Sequence, residues 1–150
     1  MERKIIIKET DFQIARKKIR EAKKAGVEIV FTSDDDEMAR KVLEKEAISM
    51  LLINQEGRKD KIKQRGSGFN QVLSKLAKKK NIIIGINLDE ILKAGEEEKA
   101  EMLARVRQNV KLCNKNKLKM EFISNEARNQ YDLKALGLVL GMPTWMTRDL

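Results

Sequence analysis

Phe69-Asn70-Gln71-Val72-Leu73-Ser74-Lys75-Leu76-Ala77-Lys78-Lys79-Lys80-Asn81-Ile82-Ile83-Ile84-Gly85-Ile86-Asn87-Leu88 carries a helix and a strand back to back. Phe69, Val72, Leu73, Leu76 and Ala77 recur at the spacing that lines one face of a helix. Lys78, Lys79 and Lys80 follow at the end where cations complement the helix dipole. Asn81–Leu88 is then a near-continuous apolar run, as in strands buried on both faces of a parallel sheet.

The same alternation extends in both directions. Further strand candidates are Lys4–Lys8, Val27–Thr32, Ile48–Ile53 and Met120–Ser124. Glu28 interrupts the second of these, which places that strand near an edge or a barrel rim. A first helical stripe is Phe12, Ala15, Ile19 and Ala22, with Thr10 and Gln13 spaced as a capping box and Gly26 as a stop. A second is Met38, Ala39, Val42 and Leu43, capped by Ser33 or Asp34. Leu103, Val106, Val110 and Cys113 mark a long fourth helix, and Leu133, Leu136 and Leu140 a fifth between Asp132 and Gly141. Strand-helix repetition of this kind predicts an α/β fold with parallel strands and right-handed crossovers. An open doubly wound sheet fits, and so does part of a (β/α) barrel, a full eight-unit barrel needing about 250 residues. No Pro/Ser-rich linker divides the chain, so residues 1–150 read as one α/β domain. The one proline, Pro143, lies where a stop to the fifth helix is expected.

The 150 residues carry a net charge of +9, an excess that favours a polyanionic partner over a merely solvated surface. There is no histidine, which rules out Ser-His-Asp triads, Cys-His dyads and His-ligated zinc. The lone Cys113 allows no intrachain disulfide and fits a reducing cytoplasm, as an inert core thiol. No apolar run is long enough to span a bilayer, and the short Ile run near the N-terminus does not make a signal peptide. The expected location is cytoplasmic, without a membrane partner.

Sites in parallel α/β folds gather at the carboxyl ends of the strands. There the chain places Glu9 and Asp11, Ser33 to Asp36, Asp89 and Glu90, and Ser124 to Glu126. Carboxylates in such a rim can hold magnesium for phosphoryl transfer. The simpler expectation is that Asp11, Asp34 and Asp89 cap helices. No catalytic or metal-ligating residue is assigned.

Gln55–Gly68 breaks the pattern. It is long for an α/β loop and mostly basic, and loops of that length tend to be functional or mobile. Arg58, Lys59, Lys61, Lys63 and Arg65, with Asp60 the one acid among them, are the leading phosphate-binding candidates. Gly66-Ser67-Gly68 lacks the Walker lysine and hydroxyl, and reads either as backbone donors to a phosphate or as plain flexibility. A second basic strip, Arg16, Lys17, Lys18, Arg20, Lys23 and Lys24, lies on the exposed side of the first helix, with Arg16 and Arg20 as RNA candidates. The phenylalanines fall on core stripes or strands, which argues against an exposed base-stacking platform.

The opening helix and strand, together with a stretch near the C-terminus, resemble a known family. Gly68-Phe69-Asn70-Gln71-Val72-Leu73-Ser74-Lys75-Leu76-Ala77, the strand Asn81–Leu88, and Arg128-Asn129-Gln130-Tyr131-Asp132-Leu133 followed by Leu136-Gly137-Leu138-Val139-Leu140-Gly141-Met142 resemble the component 3 (thirty-kilodalton) proteins of archaeal and eukaryotic ribonuclease P. The resemblance implies a TIM-barrel-like fold and a subunit of the endoribonuclease complex that removes the 5′ leader from precursor tRNA. It implies that the RNA subunit cleaves with magnesium, and that the protein holds no cofactor and is not catalytic alone. Its partners would be the ribonuclease P RNA, precursor tRNA indirectly, and an RRM-like protein subunit. Arg128 is the residue it marks for RNA contact, with an ion pair to Asp132 or another carboxylate as the alternative. The chain departs from the family in Asp89, where an Arg is usual, in Gln130, where a proline is usual, and in ending soon after Met142. A reduced or incomplete barrel is therefore expected. A metal-dependent phosphoesterase on a related barrel, and a non-RNA interaction domain, are the competing functions.

Overall fold

The computed structural model describes residues 3–60, 62–63 and 65–150. Its strands are β1 (Lys4–Lys8), β2 (Glu28–Thr32), β3 (Met50–Ile53), β4 (Ile83–Asn87) and β5 (Met120–Ile123). All neighbours pair in parallel, in the order β1-β2-β3-β4-β5. That order decides between the two architectures. Right-handed crossovers that never reverse direction lay their helices on one face, whereas a doubly wound sheet reverses and covers both. The sheet is therefore an arc of barrel type. Lys4 on β1 reaches Glu121 on β5 at 3.5 Å, so the two outer strands curl toward one another although they do not pair.

The helices are α1 (Phe12–Lys24), α2 (Asp36–Lys45), α3 (Gln71–Lys80), α4 (Leu88–Lys93), α5 (Glu96–Lys115), α6 (Gln130–Val139) and α7 (Thr144–Thr147). Their starts are set by short polar side chains that accept from the first free amides. Asp11 caps α1, Asp35 caps α2, Asn70 caps α3, Asn87 caps α4 and Asn129 caps α6. The cap of α2 is thus neither Ser33 nor Asp34, and α1 starts on Asp11 without the Thr10–Gln13 box. The expected long helix through Leu103, Val106, Val110 and Cys113 is α5, which begins after Gly95 with Glu96, Glu97 and Glu98 at its positive dipole end; the short α4 before it is an element the apolar stripes did not mark. β2 lies inside the sheet, so Glu28 marks a rim and not an edge.

The main core fills the space between sheet and helices, with Phe31, Ala15, Val42, Leu43, Ala77, Ile84 and Cys113 fully enclosed. Truncating Phe31 there would cost about 3–5 kcal/mol. The other face carries a smaller cluster, Val30, Met50 and Leu52, against which Ile83 and Ile123 pack. Gly85 lies on this inner face, where a Cβ would stand 2.8 Å from the Met50 sulfur. Beyond this cluster the inner face opens into a cavity of about 630 Å³ at the carboxyl ends of the strands. Among the described residues no helix is long and apolar enough to cross a membrane.

Candidate nucleic-acid interface

The two ends of the basic loop after β3, Gln55–Asp60 and Arg65–Gly68, are packed against the fold. Arg105 reaches the loop from the buried face of α5 and is only 3% exposed. Its Nε donates to Asp60 at 2.9 Å, and its other nitrogens donate to the carbonyl oxygens of Arg58 at 2.7 Å and Gln55 at 3.4 Å. One turn on, Asn109 donates to the carbonyl of Ser67 at 3.1 Å, an oxygen that also accepts from Gln55 Nε2 at 2.9 Å. Gln108 donates to the Arg65 carbonyl and to Ser67 Oγ, at 3.2 and 3.0 Å. Glu90 of α4 accepts from the amides of Gln55 and Glu56. Burial pushes the Glu90 carboxyl above the ordinary range, while the two amides oppose that shift.

The two glycines close this loop. The Gly66 amide donates to Asp60 at 3.0 Å, and a Cβ on Gly66 would stand 2.3 Å from the Lys59 carbonyl oxygen. Gly68 has φ +77°, and a Cβ there would lie 2.4 Å from the Arg58 guanidinium. The Gly66 amide is thus already used and is not one of the backbone donors left for a phosphate.

Most of the expected cations are paired. Arg58 holds Asp36 with two nitrogens, at 2.9 and 3.0 Å, and donates Nε to the Asn54 carbonyl at 2.5 Å. Arg65 meets Asp60 at 3.3 Å. Arg16 binds Glu46 at 2.6 Å, and Arg20 approaches the same carboxylate at 3.7 Å. Arg128 stands 3.6 Å from both Asp89 and Glu126 and donates to Ser124 Oγ at 3.2 Å. Its partners are those carboxylates and not Asp132. Lys59 and Lys63 are exposed without a carboxylate partner among the described residues, and Lys61 lies outside them.

The rim carboxylates are likewise engaged. Asp89 accepts from Ser124 Oγ at 2.6 Å and from the Asn125 amide at 2.8 Å, and these bonds hold its carboxyl below the usual range. It therefore orders the loop after β5 and does not cap α4. Asp34 pairs with Lys8 at 3.3 Å. Between them runs a ladder in which Asn87 donates to Asn54, Asn54 to Thr32 Oγ1 and Thr32 to the Leu52 carbonyl, each at 2.9 Å. Among the described residues no group of three or more Cys, Asp or Glu side chains is placed to hold a metal ion.

No protein-family model matches the sequence. The structure superposes on a chain from a cryo-EM structure of archaeal ribonuclease P with mature tRNA, with a TM-score of 0.82. The two chains share a fold. They are 24% identical, over 97% of this chain and 62% of that one, so the chain spans about three-fifths of the length of its match. A xylose isomerase domain protein from Planctomyces limnophilus superposes with a TM-score of 0.48 at 8% identity, over 94% of this chain and 60% of that protein.

Arg105 and Asn109 are the site residues that the sequence reading passed over. The signal was present: polar residues four apart, interleaved with Met102, Val106 and Val110 on the face of α5 that is buried. A guanidinium in such a stripe needs acceptors, and the carbonyls and Asp60 of the loop supply them.

Proposed function

We propose that this chain is a protein subunit of ribonuclease P that binds and supports the catalytic RNA as it removes the 5′ leader from precursor tRNA. The observation that carries the reading is the near-complete superposition on a chain of archaeal ribonuclease P. The Arg128–Leu133 and Gly68–Ala77 stretches agree with it, and so does the net charge of +9. In this reading the RNA subunit breaks the bond with its own magnesium, and the protein contributes neither nucleophile nor metal ligand. An RRM-like subunit of the same complex is the proposed protein partner, and the cytoplasm the proposed location.

The test is reconstitution. Cognate ribonuclease P RNA and the remaining protein subunits are assayed on precursor tRNA with and without this chain. The chain should raise cleavage at limiting magnesium and cleave nothing alone. Cleavage by the purified, nucleic-acid-free chain with magnesium would replace this reading by a phosphoesterase.

A further inference from the structure

We propose that α3 and α5, lying side by side, form the surface that grips the phosphate backbone of RNA. The proposal takes the identity of the polyanion from the ribonuclease P reading, and deepens it by naming the face.

Charge is segregated along this chain. Residues 61–88 hold seven Lys or Arg and no Asp or Glu, and residues 102–120 hold six and none. These two spans thus take 13 of the 32 cations and none of the 23 acids, leaving 19 cations against 23 acids elsewhere. The net charge of +9 resides wholly in them. The fold then brings the two spans together. Ser74 Oγ donates to the Leu112 carbonyl at 3.3 Å, Asn116 donates to Gln71 Oε1 at 3.3 Å, and Lys78 donates to the Lys117 carbonyl at 3.1 Å. The bond from Gln108 to the Arg65 carbonyl lays the end of the basic loop against the same helix.

Some of these cations have structural duties: Arg105 is buried on Asp60, Lys119 pairs with Asp149, and Lys80 binds carbonyls in the last turn of α2. Lys75, Arg107, Lys111 and Lys115 do not. All four are exposed, and none has a carboxylate partner among the described residues. Arg107, Lys111 and Lys115 follow at intervals of four, one stripe about 12 Å long. The helix dipole accounts for a cation in the last turn, such as Lys115, but not for Arg107 two turns earlier. On α1, by contrast, carboxylates from neighbouring segments oppose part of the basic face: Lys18 pairs with Glu9, and Arg16 and Arg20 share Glu46. An unopposed stripe of exposed cations, with more cations beside it, suits a row of phosphates, read without regard to base sequence.

The full chain is titrated into a fluorescent RNA duplex of arbitrary sequence across about 50 to 200 mM salt. Replacing Lys75, Arg107, Lys111 and Lys115 together by Gln should flatten the log–log salt slope by about 2 to 4 and weaken low-salt binding by about 100-fold. Replacing Lys17, Lys23, Lys24 and Lys134 by Gln removes the same charge elsewhere and should leave the slope nearly unchanged. Thermal unfolding of both variants confirms that they fold. Equal losses in the two variants, no loss in the first, or wild-type binding to acidic vesicles or an acidic protein but not to duplex RNA would each overturn the proposal. The two readings fail separately. Slope loss confined to the α3–α5 variant, with no effect of wild-type chain on precursor-tRNA cleavage, leaves the surface standing and removes ribonuclease P. Cleavage supported equally by wild type and that variant, at unchanged affinity, does the reverse.

Discussion

The Arg105 guanidinium meets Asp60 at 2.9 Å and is itself almost wholly buried. Through the same side chain, α5 also holds the carbonyls of Gln55 and Arg58. A stretch whose composition suggests a solvated basic tongue is thereby fixed to the body of the fold.

Arg105→Ala should leave three loop acceptors without their donor. The expected loss of stability is about 2–4 kcal/mol, measured by urea unfolding. Trypsin should then cut between Lys59 and Arg65 faster than in the wild type. Arg105→Lys should recover little, because an ammonium cannot span the fork of acceptors that a guanidinium meets. A wild-type cutting rate in Arg105→Ala would show that the loop does not depend on this clamp.

The strand-helix alternation was legible because each strand reads as a compact apolar run and each helix as an apolar stripe. Ile82 to Ile86 and the Val72-Leu73-Leu76-Ala77 spacing needed no long-range information. What was illegible depends on partners remote in the chain. Arg58 reads as a free cation until α2 brings Asp36 to it, and Asp89 reads as a cap until Ser124 and Asn125 arrive from β5. The short α4 was also unread, and it ends at Ala94, whose ψ is an extended 149°. Nothing in the apolar spacing reports that angle. The choice between barrel arc and doubly wound sheet likewise rests on strand order, which local patterning does not encode.

Gly68→Ala should destabilise the fold on two counts. The position has φ +77°, unfavourable for any Cβ, and the new methyl would lie 2.4 Å from the Arg58 guanidinium. A loss of about 1–3 kcal/mol is expected, read as a lowered Tm. In a double-mutant cycle, adding Arg58→Ala should remove the guanidinium clash but neither the backbone strain nor the 2.9 Å approach to Ile53 Cγ2. The two substitutions should therefore be less than additive.

Asp60 gives the loop a pH dependence. Its hydrogen bond from Arg105, with help from the Gly66 amide and the charge of Arg65, holds the carboxyl below its usual value. A carboxyl with a depressed folded-state pKa lends stability above the unfolded value, near pH 4, and loses it as the pH falls through the folded one. Asp60→Asn keeps an acceptor oxygen but removes the charge. The variant should be less stable than wild type at pH 7, with the two urea curves converging toward pH 3. A gap that stays constant across that range would show that the charge of Asp60 plays no part.

Cys113 is enclosed in the core, and burial pushes its thiol up to about 12. Since the thiolate is the reacting species, the folded chain should resist Ellman's reagent at pH 8 and react promptly in denaturing urea. Rapid labelling of the native chain would mean that α5 opens locally far more often than its packing implies.

Arg58 and its neighbours Lys59 and Lys63 separate structure from binding within one loop. Arg58 is committed to Asp36 and to the Asn54 carbonyl, with its side chain only 14% exposed. A phosphate could recruit it only by breaking a bidentate pair. Lys59 and Lys63 are exposed and carry no such debt. Arg58→Gln should therefore lower Tm while leaving the salt slope of RNA binding close to wild type. Lys59→Gln with Lys63→Gln should leave Tm unchanged and reduce the slope by up to about 2. The reverse pattern, with Arg58 governing the slope and the lysines silent, would mean that RNA displaces Asp36 and remodels the loop on binding.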